Sequence, residues 1–312
     1  MPEQDESGVV GETKTLLRMG ALALMWGSSF LWIKLALAAF TPVQLVLARL
    51  LLGAAVLVLL CYVAKDRLPR SRRIWGYLAV AALFHNALPF LLFAIGEQTV
   101  DSGVTGVLNA TTPLWALAVA LVWRVERRLS AARTAGLGLG LAGTILIFAP
   151  WESSGLLSLG AVVILAAAAS YGFVMVYEGK YLADTGVSPV ALAAAQMITA
   201  SGFLLLALPA GGLSPIHLDG TALIAIAVLG VFSTGVAFAL NYRLIATEGG
   251  VATSTVGYLL PVVSVLLGTV FLDEQLNARV IVGMVVVLVG VALTRVRRRV
   301  AVVKPPLVET PR

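Results

Sequence analysis

The chain has 312 residues, of which 59% are hydrophobic and only 12% charged, against about 25% charged in ordinary soluble domains. That balance excludes a soluble globular protein. The net charge of +6 does not mark a nucleic-acid binder either, because the basic residues lie between apolar runs on one side of the membrane. One cysteine, Cys61, leaves no intramolecular disulfide and no cysteine-based metal site, and in its apolar run it reads as a buried thiol.

Residues 1–15 are polar and mostly acidic, and are expected to form a disordered cytoplasmic tail. The first apolar span covers about residues 16–38, enough for a hydrocarbon core that needs about 20 helical residues. A cleaved signal peptide is the rival reading, since Ala36-Leu37-Ala38 has the small-x-small form of a cleavage site. The length of the apolar region and Lys34 just before that site favour a retained span. Nine more spans follow at about 42–64, 75–96, 103–123, 133–150, 158–181, 189–209, 221–245, 251–271 and 279–295.

Lys and Arg fix the orientation. They cluster before span 1, between spans 2 and 3 (Lys65, Arg67, Arg70, Arg72, Arg73), after span 4 (Arg124, Arg127, Arg128, Arg133) and after span 10. Lys180 follows span 6 and Arg243 ends span 8, while the alternate loops hold almost none, Arg279 excepted. By the positive-inside rule both termini are cytoplasmic. The basic tail, residues 297–312, anchors the last helix at anionic lipid.

The halves 16–150 and 156–296 repeat one another. Pro113 and Glu126 recur as Pro261 and Glu274, each 148 residues on (261 − 113 and 274 − 126). Leu129, Gly136 and Gly143 recur as Leu276, Gly283 and Gly290, Phe90 as Phe238, and Pro42 as Pro189. Each half has five spans, an odd number, so the second enters the membrane upside down. The fold class expected is therefore an all-α integral membrane protein of ten transmembrane helices in two inverted five-helix repeats. A proline inside a helix deletes a hydrogen bond and clashes with the preceding turn, at about 3 kcal/mol. Matched prolines in two halves point to a binding site near the bilayer midplane, and inverted repeats to alternating access. Pro113 and Pro261 are the hinge or gate candidates.

At the residue level the chain resembles the EamA-type members of the drug/metabolite transporter superfamily. Trp26-Gly27-Ser28-Ser29-Phe30 with Lys34, then Pro42 with Arg49, is similar to the opening of an EamA repeat, and Pro113 to Glu126 with Gly136 and Gly143 resembles its close. The second copy departs from this opening, with Gln196 where Arg49 stands and Tyr171-Gly172 where Trp26-Gly27 stand. The resemblance implies ten helices, inverted repeats and alternating-access movement of small metabolites, often outward. It does not name a substrate.

Polar groups in hydrocarbon are costly, so those near span centres carry information. Span 1 holds Trp26, Ser28 and Ser29; span 6 holds Ser170 and Tyr171; span 3 holds His85 and Asn86. Their counterparts 148 residues on are Ser233 and Thr234 in span 8. Span 4 adds Thr111, Thr112 and Trp115, and span 9 adds Tyr258. Gathered at one depth, these would line a mostly apolar pocket with a few orienting groups. Each also has a plain reading: hydroxyls bonded to their own helix, tryptophans packed in the core, and His85 neutral and hydrogen-bonded rather than carrying a proton.

Lys34, Arg49 and Glu97 fall toward the outer third of the bilayer, either as a structural ion-pair cluster or as a gate for a carboxylate ligand. Tyr177, Glu178, Lys180 and Tyr181 at the inner end of span 6 stand as an inverted counterpart. Glu126 and Glu274 read as helix-end hydrogen-bond partners. Gly136, Gly140 and Gly143 allow close helix approach, within a monomer or across a homodimer.

No site for catalysis, metal or cofactor is expected: mid-span carboxylates and HExxH are missing, and no Walker A pattern points to ATP. The reading is a secondary transporter of a small metabolite, driven by protons or by the cargo's own gradient. Its intramembrane charges are mainly cationic, which favours an exporter of amino acids or similar zwitterionic or weakly anionic compounds. The alternatives are a drug or toxic-compound efflux carrier and, further off, a channel or membrane scaffold.

Overall fold

The computed structural model describes residues 3–125, 131–148, 159–216, 219–253, 256–257, 259–275 and 277–295. Tyr258, Glu126, Leu129, Leu276 and the basic tail from residue 297 lie outside the described residues. Among those described, every regular element is helical.

Span 1 comprises α1 (Glu3–Gly27) and α2 (Ser29–Ala36), so helix already occupies most of the stretch expected as a disordered tail. The apolar part alone, Thr13–Ala36, is long enough to cross a bilayer. Leu22, Ile33 and Ala36 of this segment are fully buried in the core. α3 (Pro42–Ala64) and α10 (Pro189–Ala207) form spans 2 and 7 and start alike. Thr41 and Ser188 cap them by accepting from the Gln44 and Ala191 amides at 3.3 and 3.2 Å. Pro42 and Pro189 occupy the first helical position, where a missing N–H costs nothing.

Spans 3 and 8 are each interrupted by a wide turn. α4 (Arg72–Ala82) passes through a π segment, Leu83–Ala87, into α5 (Leu88–Gly96). α11 (Gly220–Ala227) passes through a second, Val228–Val236, into α12 (Ala237–Thr253). In span 3 the cause is Pro89, whose ring would clash with the carbonyl four residues earlier in a regular helix. In span 8 the Thr234 hydroxyl donates to the Leu229 carbonyl at 2.8 Å, satisfying an acceptor in the widened turn.

Span 4 divides into α6 (Ser102–Asn109) and α7 (Thr112–Val122). Pro113 therefore does not kink a continuous helix; it sits in the first turn of a restarted one. The Asn109 carbonyl, which the proline leaves without an amide, accepts from the Thr112 hydroxyl at 2.8 Å. Pro261 takes the same place in α13 (Leu260–Leu272). The span 8–9 boundary also differs from the sequence reading: α12 runs to Thr253, through Gly249-Gly250, which read as a loop.

α8 (Ala131–Phe148) and α14 (Ala278–Arg295) complete the chain and pack closely on each other. A Cβ on Gly143 would come within 2.8 Å of the Gly283 carbonyl, and one on Gly290 within 2.7 Å of the Gly136 carbonyl. The glycine face of span 5 is thus used inside the chain. Among the described residues, seven helical segments are long and apolar enough to cross a membrane; Thr134–Ile147, Leu260–Leu272 and Ala278–Leu293 are shorter apolar helices.

The packing is reciprocal between the halves. α3 lies on α10, α8 on α14, and α6 on α13. α5 packs on α9 (Leu159–Tyr181) as α12 packs on α1, and α7 packs on α9 as α13 packs on α1. α3 meets the second π segment, as α10 meets the first.

Candidate functional site

The two π segments are gripped from the opposite half. Arg49 of α3 donates through Nε to the Thr234 hydroxyl at 2.9 Å, and its guanidinium carbon lies 3.9 Å from the centre of the Phe90 ring. Gln196 of α10, which stands at the corresponding position, donates through Nε2 to Asn86 Oδ1, also at 2.9 Å. Arg49, Thr234, Gln196 and Asn86 are all buried. Leaving a donor or acceptor unmatched in such a place costs about 1–3 kcal/mol, which favours holding these pairs together.

Around the first π segment the contacts widen into a polar cluster. His85 Nδ1 lies 2.7 Å from Glu178 Oε1, and Gln196 Nε2 donates to the same oxygen at 3.0 Å. Ser170 donates to the Phe84 carbonyl at 2.7 Å. Tyr171 meets the His85 ring edge-on at 5.7 Å, and Phe238 lies 6.0 Å from it. Trp26 packs edge-on against Phe238 at 6.1 Å, and Phe238 in turn contacts Tyr242. Trp26, His85, Asn86, Ser170 and Tyr171 are thereby linked through one network of contacts spanning both halves, while Thr234 belongs to the Arg49 grip.

The other expected residues are placed differently. Ser28 and Ser29 donate to the Met25 carbonyl of their own helix at 3.3 and 3.2 Å, and Thr112 to the Asn109 carbonyl. Ser28 and Ser233 border a separate groove of about 560 Å³ lined mainly by apolar groups, among them Leu24, Met25, Trp32 and Phe232. Ser233 is fully buried, and its hydroxyl has no hydrogen-bond partner among the described residues. Trp115 is 39% exposed and backs onto Gly172 rather than His85.

Away from this cluster, Lys34 and Glu97 meet through the backbone. Lys34 Nζ donates to the Glu97 and Val100 carbonyls at 2.7 and 3.0 Å. The Glu97 carboxylate is fully buried, and neither oxygen has a hydrogen-bond partner among the described residues. Of the two readings of Lys34, Arg49 and Glu97, the ion-pair cluster is not formed among the described residues; each cation has found an uncharged acceptor or a ring. Glu274 accepts from the Ser102 and Gly103 amides at 2.7 and 2.9 Å and closes the N-terminus of α6. Nearby, burial pushes the Asp101 carboxyl up, with Glu274 adding to the rise and Lys34 opposing it. The group at the C-terminal end of α9 is divided: Glu178 turns to His85, while Lys180 lies over the rings of Trp123 and Tyr181.

Glu178 and Gln196 are the residues the sequence reading missed as site members. Gln196 was visible as the counterpart of Arg49, 147 residues on, and Thr234 as that of Asn86, 148 residues on, so the crossed pairing was within reach of the repeat. Glu178 was singled out only within an inverted counterpart of the Lys34 group, near the end of its span, and no signal placed it beside His85.

Known proteins share this architecture. The EamA-like transporter family matches residues 14–149 and again residues 158–296. The chain belongs to the EamA-like transporter family. It is 25% identical over 289 residues to the uncharacterized inner membrane transporter YedA of Escherichia coli (strain K12), covering 91% of this chain and 92% of the relative. It is 28% identical over 277 residues to the uncharacterized transporter YdfC of Bacillus subtilis (strain 168), at 86% and 87% coverage. One crystal structure superposes with a TM-score of 0.63 at 20% identity, covering 91% of this chain and 96% of that one, a likeness of fold. This EamA protein is accordingly a multi-pass transporter of the cell membrane.

Proposed function

We propose that this EamA protein is a secondary transporter working by alternating access, with ten transmembrane helices in two inverted five-helix repeats and both termini cytoplasmic. Its cargo is a small metabolite, and the reading carried furthest is export of amino acids or similar zwitterionic or weakly anionic compounds. The observation that carries the mechanism is the crossed pair of bonds, Arg49 to Thr234 and Gln196 to Asn86. Each half grips the widened turn of the other by the same geometry. Two such grips related by inversion can trade places, which is how inverted repeats exchange access about one site.

The double match of the family, once to each half, supports the repeat. The exposed faces of His85 and Glu178, with Tyr171, Phe238 and Trp26 as walls, support a cargo that carries both charge and apolar surface. In this reading the contacts of Lys34 and Glu274 are the ones that close the outer end. A drug or toxic-compound carrier is the second reading, favoured by the largely apolar groove beside Ser28 and Ser233.

Purified protein in vesicles decides between them by counterflow. Vesicles preloaded with each amino acid and diluted into its labelled form accumulate label transiently if that amino acid is cargo. Accumulation of lipophilic cations, with none of the amino acids or organic acids moving, would put the cargo class in the second reading. A conductance that never saturates would remove the carrier altogether.

A further inference from the structure

Among the described residues, His85 and Glu178 form the one ion pair within 4.0 Å. Its 2.7 Å separation falls in the charge-assisted range. Glu178 Oε1 also accepts from the Gln196 amide; with Glu178 ionised that oxygen is an acceptor toward both neighbours, and His85 Nδ1 is the donor. An imidazolium against a carboxylate is neutral as a unit; a neutral ring would leave the carboxylate charge uncompensated in the membrane.

Exposure separates this pair from a structural one. The cross-half grips beside it are sealed, Arg49 and Thr234 at 5% and 0% exposure and Gln196 and Asn86 at 4% and 0%. His85 and Glu178 keep 25% of each side chain open. The other titratable groups around the pair are few. Tyr171 on α9 faces the ring, and Tyr242 on α12 acts electrostatically on Glu178. Arg49 on α3 acts on Tyr171, and α10 contributes uncharged Gln196. On α4, Tyr77 stacks on Tyr181 instead, and Lys180 is turned to Trp123.

We infer that the His85–Glu178 pair binds one exchangeable proton, and that transport by this chain is coupled to it. The coupling rests on the transporter reading above. The proton joins the free electron pair of an imidazole nitrogen from water on one side of the membrane. It leaves from the same nitrogen to water on the other, its bonding electrons staying on the ring. With the proton in place α9 is drawn to the first π segment; without it the attraction is lost, and the contact between spans 3 and 6 is released. Proton occupancy thus sets which arrangement of the two halves is favoured.

The test uses the full chain in vesicles of phosphatidylethanolamine and phosphatidylglycerol. The sequence holds two histidines, so ¹⁵N-histidine labelling with His217→Gln leaves the His85 signal alone. At neutral pH both ring nitrogens are expected to be protonated in the otherwise native chain, and only one in Glu178→Gln. A neutral His85 ring in the native chain overturns the inference. The second readout is accumulation of a labelled amino-acid mixture with and without an imposed pH gradient. The ratio of the two exceeds one in the native chain and falls to one in folded Glu178→Gln and His85→Gln, whatever flux remains. A native ratio of one, or a gradient response surviving in either variant, overturns it as well. If no amino acid moves, the cargo class has failed, and the ring's protonation alone decides the proton site.

Discussion

Glu274→Ala removes the carboxylate that closes the outer end of α6. In the structure that carboxylate accepts two amide protons, from Ser102 at 2.7 Å and Gly103 at 2.9 Å, and these link span 9 to span 4 across the repeat. A hydrogen bond to a charged group contributes about 1.5–3 kcal/mol, and loss of a helix N-cap costs about 1 kcal/mol. The two descriptions cover the same contacts, so about 2 kcal/mol is assigned to the whole latch. If the latch is made only when the outside is closed, that amount shifts the closed-to-open ratio about 30-fold toward open, at about 1.4 kcal/mol per tenfold.

The assay is labelling of a single cysteine by a membrane-impermeant thiol reagent. Cys61, the chain's one cysteine, is buried and is replaced by Ala. Thr105→Cys then reports on α6, where Thr105 is fully buried in the closed arrangement. Labelling from outside should speed up about 30-fold in Glu274→Ala and only partly in Glu274→Gln, which keeps an oxygen acceptor without the charge. Equal labelling rates in folded Glu274→Ala and its parent would refute the latch, leaving Glu274 as a helix cap that both states retain.

Gln196→Ala leaves Asn86 fully buried without its partner and Glu178 with His85 alone; the apparent melting temperature should fall by an amount worth about 1–3 kcal/mol, read by thermal shift in detergent. An unchanged melting curve would mean that Asn86 finds another partner. Arg49→Lys removes the planar stack on Phe90 along with the Nε donor to Thr234, so it should not rescue the counterflow lost in Arg49→Ala; full activity in Arg49→Lys would show that charge alone is needed. Gly143→Leu drives a side chain into the α14 backbone beside Gly283, and overpacking of this kind costs about 1–3 kcal/mol or more. The folded fraction on size exclusion should drop, and a normal yield would mean that spans 5 and 10 can separate without loss.

How far the sequence reached can be judged from particular residues. Pro113 and Pro261 were legible as matched interruptions because a proline's missing N–H acts locally. Their role as first-turn residues was not, because restarting the helix depends on Thr112 reaching the stranded Asn109 carbonyl. Glu274 read as a helix-end partner and is one, though the helix it caps lies 172 residues earlier in the chain, as the Ser102 contact shows. The expected Lys34–Glu97 pairing failed because the backbone carbonyls at the end of span 3 offered Lys34 two nearer acceptors.

By itself the sequence determined the membrane class, the matched halves, and the direction in which each span is expected to run. These follow from hydropathy, charge placement and proline spacing, all properties of short stretches of chain. Only the tertiary structure decided which polar groups face one another. Neither crossed grip nor the His85–Glu178 contact is marked by any local pattern, since each joins residues about 90 to 190 positions apart. In a membrane a stranded polar group finds whatever partner the packing brings within reach, and packing is set by the assembled helices together.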